Sequence, residues 1–428
     1  MISKSRNNSP IRSLFVLLLL AAAALPLHSC GRSSSSAGDP TKIALSTYDH
    51  PTDVTASPDG KKLYVVNNVH NSVMVLSITN PQTPVPIAEI STSCAPRHLT
   101  INAAGTLMYL DHDNWQTGCK LSPLGPGPAD SFDAQTGAWQ GYNGDKISLI
   151  DTATNMVTKE IDLSNPDRRL SNGRELVWDE PANFVYVAYS SSSSGGVGVI
   201  DSATNGFSTK VVSTPSSVSV VGIAKTPDNS TVFSPITKES GITSDSKLFV
   251  INAATKIQYP GSPWSSTTVF AFPSYMTISG DGKYAFVSNG TAMSVNNASA
   301  FTVSVIDITN PATGWADSRF LGFLNFGSTV KPTVMALSSN GDYLLAIAPG
   351  KLYAIPWATI QLGASSAVSA NIFTIGSNPS DLAVVGNYAY VTDQVASTLY
   401  SINYTDASQA SSHASFDATV FAGDFPRP

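Results

Sequence analysis

The sequence predicts an all-β chain, a seven-bladed β-propeller of four-stranded antiparallel blades. Three observations carry that prediction. Strand-like runs with period-two alternation of apolar residues recur along the chain. Short turns of Ser, Pro, Asp, Asn and Gly separate them, residues that supply special φ values or local hydrogen bonds. Runs and turns repeat together at about forty to sixty residues, the spacing of a radial β-architecture.

The unit is clearest in Asp53 to Asn80, DVTASPDGKKLYVVNNVHNSVMVLSITN, with strand-like runs at Asp53 to Ala56, Lys62 to Asn67 and Ser72 to Ile78. Ser57-Pro58-Asp59-Gly60 is a tight-turn composition in which Gly takes positive φ without steric cost. Three strands cannot bury their apolar face alone, so the unit requires copies. They follow at Leu99 to Asn155, Glu175 to Asn205, Gly222 to Thr255, Met276 to Asn310, Val334 to Ile360 and Asp381 to Asp406. Blades therefore begin near residues 53, 98, 175, 222, 275, 334 and 381 of a single domain spanning 41–428.

The copies share a turn in Asp-Gly, a Tyr-Val-x-Asn segment as in YVVNN, and a closing motif as in SLIDTATN, GVIDSATN and SVIDITN. These motifs resemble the YVTN-type β-propeller repeat over nearly all of the chain after its N-terminal segment. The resemblance implies the fold; it does not fix the function, because members of the family bind or hydrolyse different things.

Met1 to Ser29 places Lys4, Arg6 and Arg12 ahead of an apolar run, Leu14 to Leu25. That run is too short for a membrane span and fits a signal peptide. Leu27-His28-Ser29-Cys30 resembles the lipobox of bacterial lipoproteins, which implies lipidation of Cys30 after cleavage; His28 is an unusual occupant, and a plain secreted protein is the alternative. Residues 30–40 read as a flexible polar tether. No Asp follows Cys30, so the outer membrane is the expected destination under the enterobacterial sorting rule.

Only 13% of residues are charged, and the precursor's formal charge is −6. Removing Lys4, Arg6 and Arg12 leaves 21 basic against 30 acidic residues, or −9. An acidic chain without a basic run excludes non-specific nucleic-acid binding, and membrane association would rest on the lipid. A monomer is expected. In an oxidising compartment Cys94 and Cys119 are most simply a disulfide, since both fall in loops at the same end of the blades. No C-x-x-C or C-x-x-C-H motif occurs.

Turns between first and second strands are short and alike, whereas loops between second and third strands vary: Asp111 to Asp145, Ser190 to Gly196, Ser234 to Ser246 and Ser288 to Ala300. Variable loops on a rigid scaffold are where binding concentrates. The longest carries Trp115, Phe132, Trp139 and Tyr142, which either anchor a partner or pin the loop to its own blades.

His50, His70, His98 and His112 map to that same face around the first two blades. His98 follows Arg97 at the start of an innermost strand and aligns with Asp53 and Asp381; His112 sits between Asp111 and Asp113. Imidazoles beside carboxylates can hold Zn or Cu, His98 and His112 being the candidate ligands, or can supply a general base. The spacing matches no dense ligand motif, so ordinary loop and channel residues are the plainer interpretation, and no cofactor is otherwise expected.

Glu175, beside Arg174, starts the third blade at a matching position. Propeller lactonases, which are similar in fold, use Glu, His and Arg at such a mouth on a sugar lactone, but no motif here permits a residue-by-residue transfer. Ring closure requires an outer strand for the last blade, and Lys42 to Ser46 is favoured over Ser415 to Ala422 because it directly precedes the first blade. The expected role is an envelope scaffold that binds a protein, glycan or other ligand on the long-loop face. A lactonase-type hydrolase or a metal-binding propeller is the alternative.

Overall fold

A computed structural model describes residues 40–45, 50–93, 95–112, 131–133, 138–140, 146–162, 175–180, 183–190, 195–213, 218–238, 246–266, 269–295, 298–360, 367–410 and 412–419. These residues form seven antiparallel blades in chain order. Blade 1 comprises Pro51–Ala56, Lys62–Asn67, Ser72–Ser77 and Val85–Ser91. Blade 2 comprises Pro96–Ile101, Leu107–His112, Lys146–Asp151 and Met156–Asp162. Blade 3 comprises Glu175–Asp179, Phe184–Ser190, Gly195–Asp201 and Gly206–Ser213.

Blade 4 is built on Thr231–Lys238 and Lys247–Asn252. Its innermost strand is split into Val218–Val220 and Ala224–Lys225, and its outermost into Ile257–Gln258 and Trp264–Ser265. Blade 5 comprises Pro273–Ile278, Tyr284–Asn289, Thr302–Asp307 and Phe320–Asn325. Blade 6 comprises Val334–Leu337, Tyr343–Ala348, Lys351–Pro356 and Ala367–Thr374. Blade 7 comprises Pro379–Val385, Tyr388–Asp393 and Thr398–Asn403.

The fourth strand of blade 7 is Thr41–Ala44, which pairs from Thr41 opposite Ser401 to Ala44 opposite Thr398. The ring is thus closed by the start of the domain, as the sequence favours. The competing C-terminal segment takes another place. Ser412–Thr419 pairs with the outer strand of blade 6 from Ala367 opposite Asp417 to Ile372 opposite Ser412, and touches blade 5 at Leu324 opposite Ala418. It joins two blades into one continuous sheet.

The repeated motifs have physical explanations. In the first turn the Ser57 hydroxyl accepts the Lys62 amide at 2.9 Å, and Gly60 has φ +66°, a region in which a Cβ is costly. Ser279 with Gly282 and Ser338 with Gly341 repeat the device. In the third-to-fourth turns Asp151 and Asp201 accept the amides two and three residues ahead, and Asn155 and Asn205 take φ +54° and +53°. Asn tolerates this left-handed conformation better than most side chains.

The repeat tyrosines are buried, and three of them tie their blade to the next. Tyr390 donates to the Pro81 carbonyl at 3.0 Å, Tyr109 to Asn205 Oδ1 at 2.7 Å and Tyr186 to the Ala253 carbonyl at 2.9 Å. Every blade-to-blade interface has its own apolar core. Tyr64, Val66, Leu99 and Leu110 fill that between blades 1 and 2; Leu45, Val54, Leu63 and Leu399 fill the seam between blades 7 and 1. Because each blade packs on its neighbours, the ring grows without a single deep core. The described residues belong to one unit, Ser36–Pro428, and no helix among them is long and apolar enough to cross a membrane.

Candidate functional site

The innermost strands start on one face of the ring, around a cavity of about 400 Å³ lined by Thr52, Arg97, His98, Val221, Ser274, Tyr275, Lys331, Thr333, Val334, Ser380 and Asp381. Its size suits a small molecule. Six blades contribute, so no single stretch of sequence contains it.

A local device aims these side chains. In blades 1, 2, 5 and 7 the strand register slips just after a proline, at Pro51, Pro96, Pro273 and Pro379. Proline gives no amide to the ladder, and a bulge re-aims the residues that follow. Thr52, Arg97, Ser274 and Ser380 each follow such a proline, and Thr333 follows Pro332. Lys331 lies just ahead of Pro332, where a Cβ on Gly290 would come within 3.4 Å of its ammonium and 2.6 Å of the Phe272 carbonyl. Glycine at 290 keeps that wall open.

In two blades the residues after the proline form an inter-blade clamp. The Ser380 hydroxyl donates to the Pro51 carbonyl at 2.7 Å, while Asp381 accepts the Val54 amide at 2.9 Å. One blade on, Thr52 donates to the Arg97 carbonyl at 2.9 Å and Asp53 accepts the Leu99 amide at 2.5 Å. In blade 2 the hydroxyl and carboxylate of the clamp are replaced by Arg97 and His98, which face the cavity. The clamp motif ends where Arg97 and His98 line the cavity.

His98 is held by a single carboxylate. Asp111 accepts the His98 amide at 2.5 Å through one oxygen, and its other oxygen lies 3.4 Å from His98 Nδ1. Asp111 is 3% exposed, whereas the His98 side chain is 29% exposed. A buried carboxylate behind a partly exposed imidazole orients the ring, the arrangement of a general base with its orienting group.

Asp53 is buried beneath this floor rather than lining it. Burial, followed by the charge and hydrogen bond of Asp381, pushes its carboxyl well above the ordinary range. Asp53 and Asp381 face each other across the ring-closing seam.

The four histidines do not converge. Asp111 and His112 are adjacent on one strand and point to opposite faces of blade 2. Tyr109, on the Asp111 side, joins the core shared with blade 3; Leu110, on the His112 side, joins that shared with blade 1. His112 is buried with Nε2 2.8 Å from Ser148 Oγ, so it cannot share an ion with His98. His50 and His70 are exposed outside the cavity lining. Among the described residues no group of three or more His, Cys, Asp or Glu could hold a metal ion.

The structure places Glu175 opposite Ala188 at the start of blade 3. It places Trp139 opposite Phe132 in a two-stranded ribbon, Ser131–Asp133 with Ala138–Gln140. Cys30, Cys94, Asp113, Trp115 and Cys119 lie outside the described residues. Thr52, Ser274, Tyr275, Lys331, Thr333 and Ser380 were not expected at the site, although a proline followed by Ser, Thr or Arg ahead of a strand marks most of them.

Fold and cavity together define a seven-bladed β-propeller with a small-molecule-sized pocket at its channel mouth. Residues 32–117 match the family model described as "Lactonase, 7-bladed beta-propeller", a segment containing Arg97, His98 and Asp111. No curated protein matches the chain. Among solved structures, hydrazine synthase of Kuenenia stuttgartiensis is similar, with TM-score 0.61, 14% identity, and coverage of 85% of this chain and 97% of that one. The β-propeller domain of Myceliophteria thermophila Cps50 (Swd1) gives TM-score 0.57, 11% identity, and coverage of 85% and 98%. The Dos1 propeller gives 0.51, 12%, 85% and 80%. At these identities the likeness concerns the fold alone.

Proposed function

We propose that this chain is an exported propeller hydrolase that opens a small hydroxylated lactone at the channel mouth. The observation that carries the reading is His98, presented to the cavity and backed by buried Asp111. In that role His98 takes a proton from water as the oxygen adds to the lactone carbonyl. Arg97 steadies the negative charge on the carbonyl oxygen, the ring C–O bond breaks, and His98 returns the proton to the leaving alkoxide. The product is an open-chain hydroxy acid. Hydroxyls of Thr52, Ser274, Thr333 and Ser380 supply partners for those of the ligand. The partial match to a lactonase family model supports the class.

Around this site we place the features expected from the sequence: a signal peptide over Met1–Ser29, lipidation at Cys30, a Cys94–Cys119 disulfide, outer-membrane residence and a monomeric state. The test is hydrolysis of five- and six-membered aldonolactones by the purified mature chain, with the spontaneous rate subtracted. Turnover that falls about 10²- to 10⁴-fold in His98→Ala is expected. Wild-type rates equal to the spontaneous rate for every ring contradict the proposal.

A second reading keeps the propeller as an envelope scaffold for a protein or glycan. The ribbon within the Asp111 to Asp145 loop, Ser131–Asp133 with Ala138–Gln140, favours it, because it gives the longest variable loop a backbone framework on which a partner can dock. Under this reading Trp139→Ala weakens a purified complex with an envelope partner while His98→Ala leaves it unchanged.

A further inference from the structure

Clamp geometry at the seam links ring closure to the pocket. Asp53 reaches from blade 1 to the Leu99 amide of blade 2, the residue directly after His98. The Leu99 side chain is itself fixed in the core between blades 1 and 2. The Arg97–His98 bulge is therefore held at two amides by two carboxylates, His98 by Asp111 and Leu99 by Asp53. Of these two carboxylates, Asp111 also reaches the imidazole. Asp53 acts from below the floor, on the backbone.

We propose that Asp53 is a positioning residue for the pocket: braced by Asp381 across the ring-closing seam, it holds the bulge that presents Arg97 and His98 to the ligand. This rests on the reading of the channel mouth as the functional site, and it adds a residue that touches neither ligand nor imidazole. The charged groups acting on Asp53 are Asp381 on blade 7 and Asp111 on blade 2; within its own strand Thr55 Oγ1 lies 3.5 Å away. Two carboxyls packed together hold a proton between them more stably than two charges. An amide at 53 fits the same place, accepting from Leu99 and donating to Asp381. Alanine does neither.

The test uses the full mature chain labelled with ¹³C-histidine, the His98 resonance being assigned by its loss in His98→Gln. Asp53→Asn and Asp53→Ala are compared with Tyr390→Phe, which loosens the same seam at its hydrogen bond to Pro81, away from the cavity. The proposal expects Asp53→Ala to shift or split the His98 resonance and to lower kcat/KM on a turned-over lactone by about 10²-fold, as for a catalytic group displaced by about an ångström. Asp53→Asn and Tyr390→Phe should retain the wild-type resonance and rate. Asp53→Ser replaces the alanine variant should that one not fold.

An unchanged His98 resonance in Asp53→Ala overturns the proposal, as does an equal change in Tyr390→Phe, which would make the effect general to the seam. If no lactone is turned over, the hydrolase reading fails, while the resonance still decides whether Asp53 positions His98.

Discussion

The Asp381 carboxylate accepts a hydrogen bond from the Val54 amide at 2.9 Å, joining the last blade to the first at the rim of the cavity. The contact recurs one blade on, from Asp53 to Leu99, and then stops at His98. Closure of the ring and construction of the pocket thus use the same strand position.

Stability should depend on pH through Asp53. Its carboxyl is raised in the folded ring by burial and by Asp381, so folding favours the bound proton. The stabilisation is full below the ordinary carboxylate pKa and is lost as pH rises through the raised one, by at most about 1.4 kcal/mol per pH unit. Chemical denaturation of wild type from pH 4 upward should show this decline relative to Asp53→Asn. Parallel curves for the two proteins would remove the shared proton from the account.

Removing the clasp should weaken the whole ring. Thr41–Ala44 supplies the outer strand of blade 7, and Leu45 fills the core of the seam. Deletion of residues 41–47 should lower Tm by at least about 5 °C, since roughly 1 kcal/mol already moves a large domain by 2–4 °C. An unchanged melt would mean that the ring is held shut elsewhere.

Arg319 should be a stability residue despite its charge. It is buried, donates to the carbonyls of Gly314 at 2.8 Å, Asp307 at 3.0 Å and Asn310 at 2.5 Å, and lies 4.9 Å above the Trp264 ring. Replacing it with Met keeps apolar bulk but orphans those acceptors, at a cost of about 2–4 kcal/mol in urea unfolding. A smaller loss than about 1 kcal/mol would show that water reaches the carbonyls.

The C-terminal strand should protect against edge pairing. Ser412–Thr419 covers the outer strand of blade 6 and reaches that of blade 5. Truncation after Ala410 leaves a row of unpaired amides and carbonyls, a template for another chain. Sedimentation should then show concentration-dependent association, and a strictly monomeric truncation would contradict the role.

The ring was legible because its cause is repeated: turn serines, Asx turns and buried tyrosines recur and each acts within one or two blades. The clasp followed from strand order alone. The pocket was legible only in part. Arg97, His98 and Asp381 stood out by charge at aligned positions, but Thr52, Ser274 and Ser380 reach the cavity through bulges after prolines, Lys331 and Thr333 flank Pro332, and the lining is spread over six blades. Asp53 aligns with His98 yet is buried, its carboxyl packed against that of Asp381 and bonded to the Leu99 amide of the next blade. Grouping His112 with His98 failed because neighbouring strand residues face opposite ways.

The proposed hydrolysis belongs to the channel mouth and not to the long loop. The most direct measurement is kcat/KM for the best aldonolactone in two variants, His98→Ala and a chain whose residues 114–144 are replaced by a short Gly-Ser link. A loss of about 10²-fold or more is expected in the first, and retention in the second. Loss confined to the shortened loop, with His98→Ala fully active, would contradict that placement.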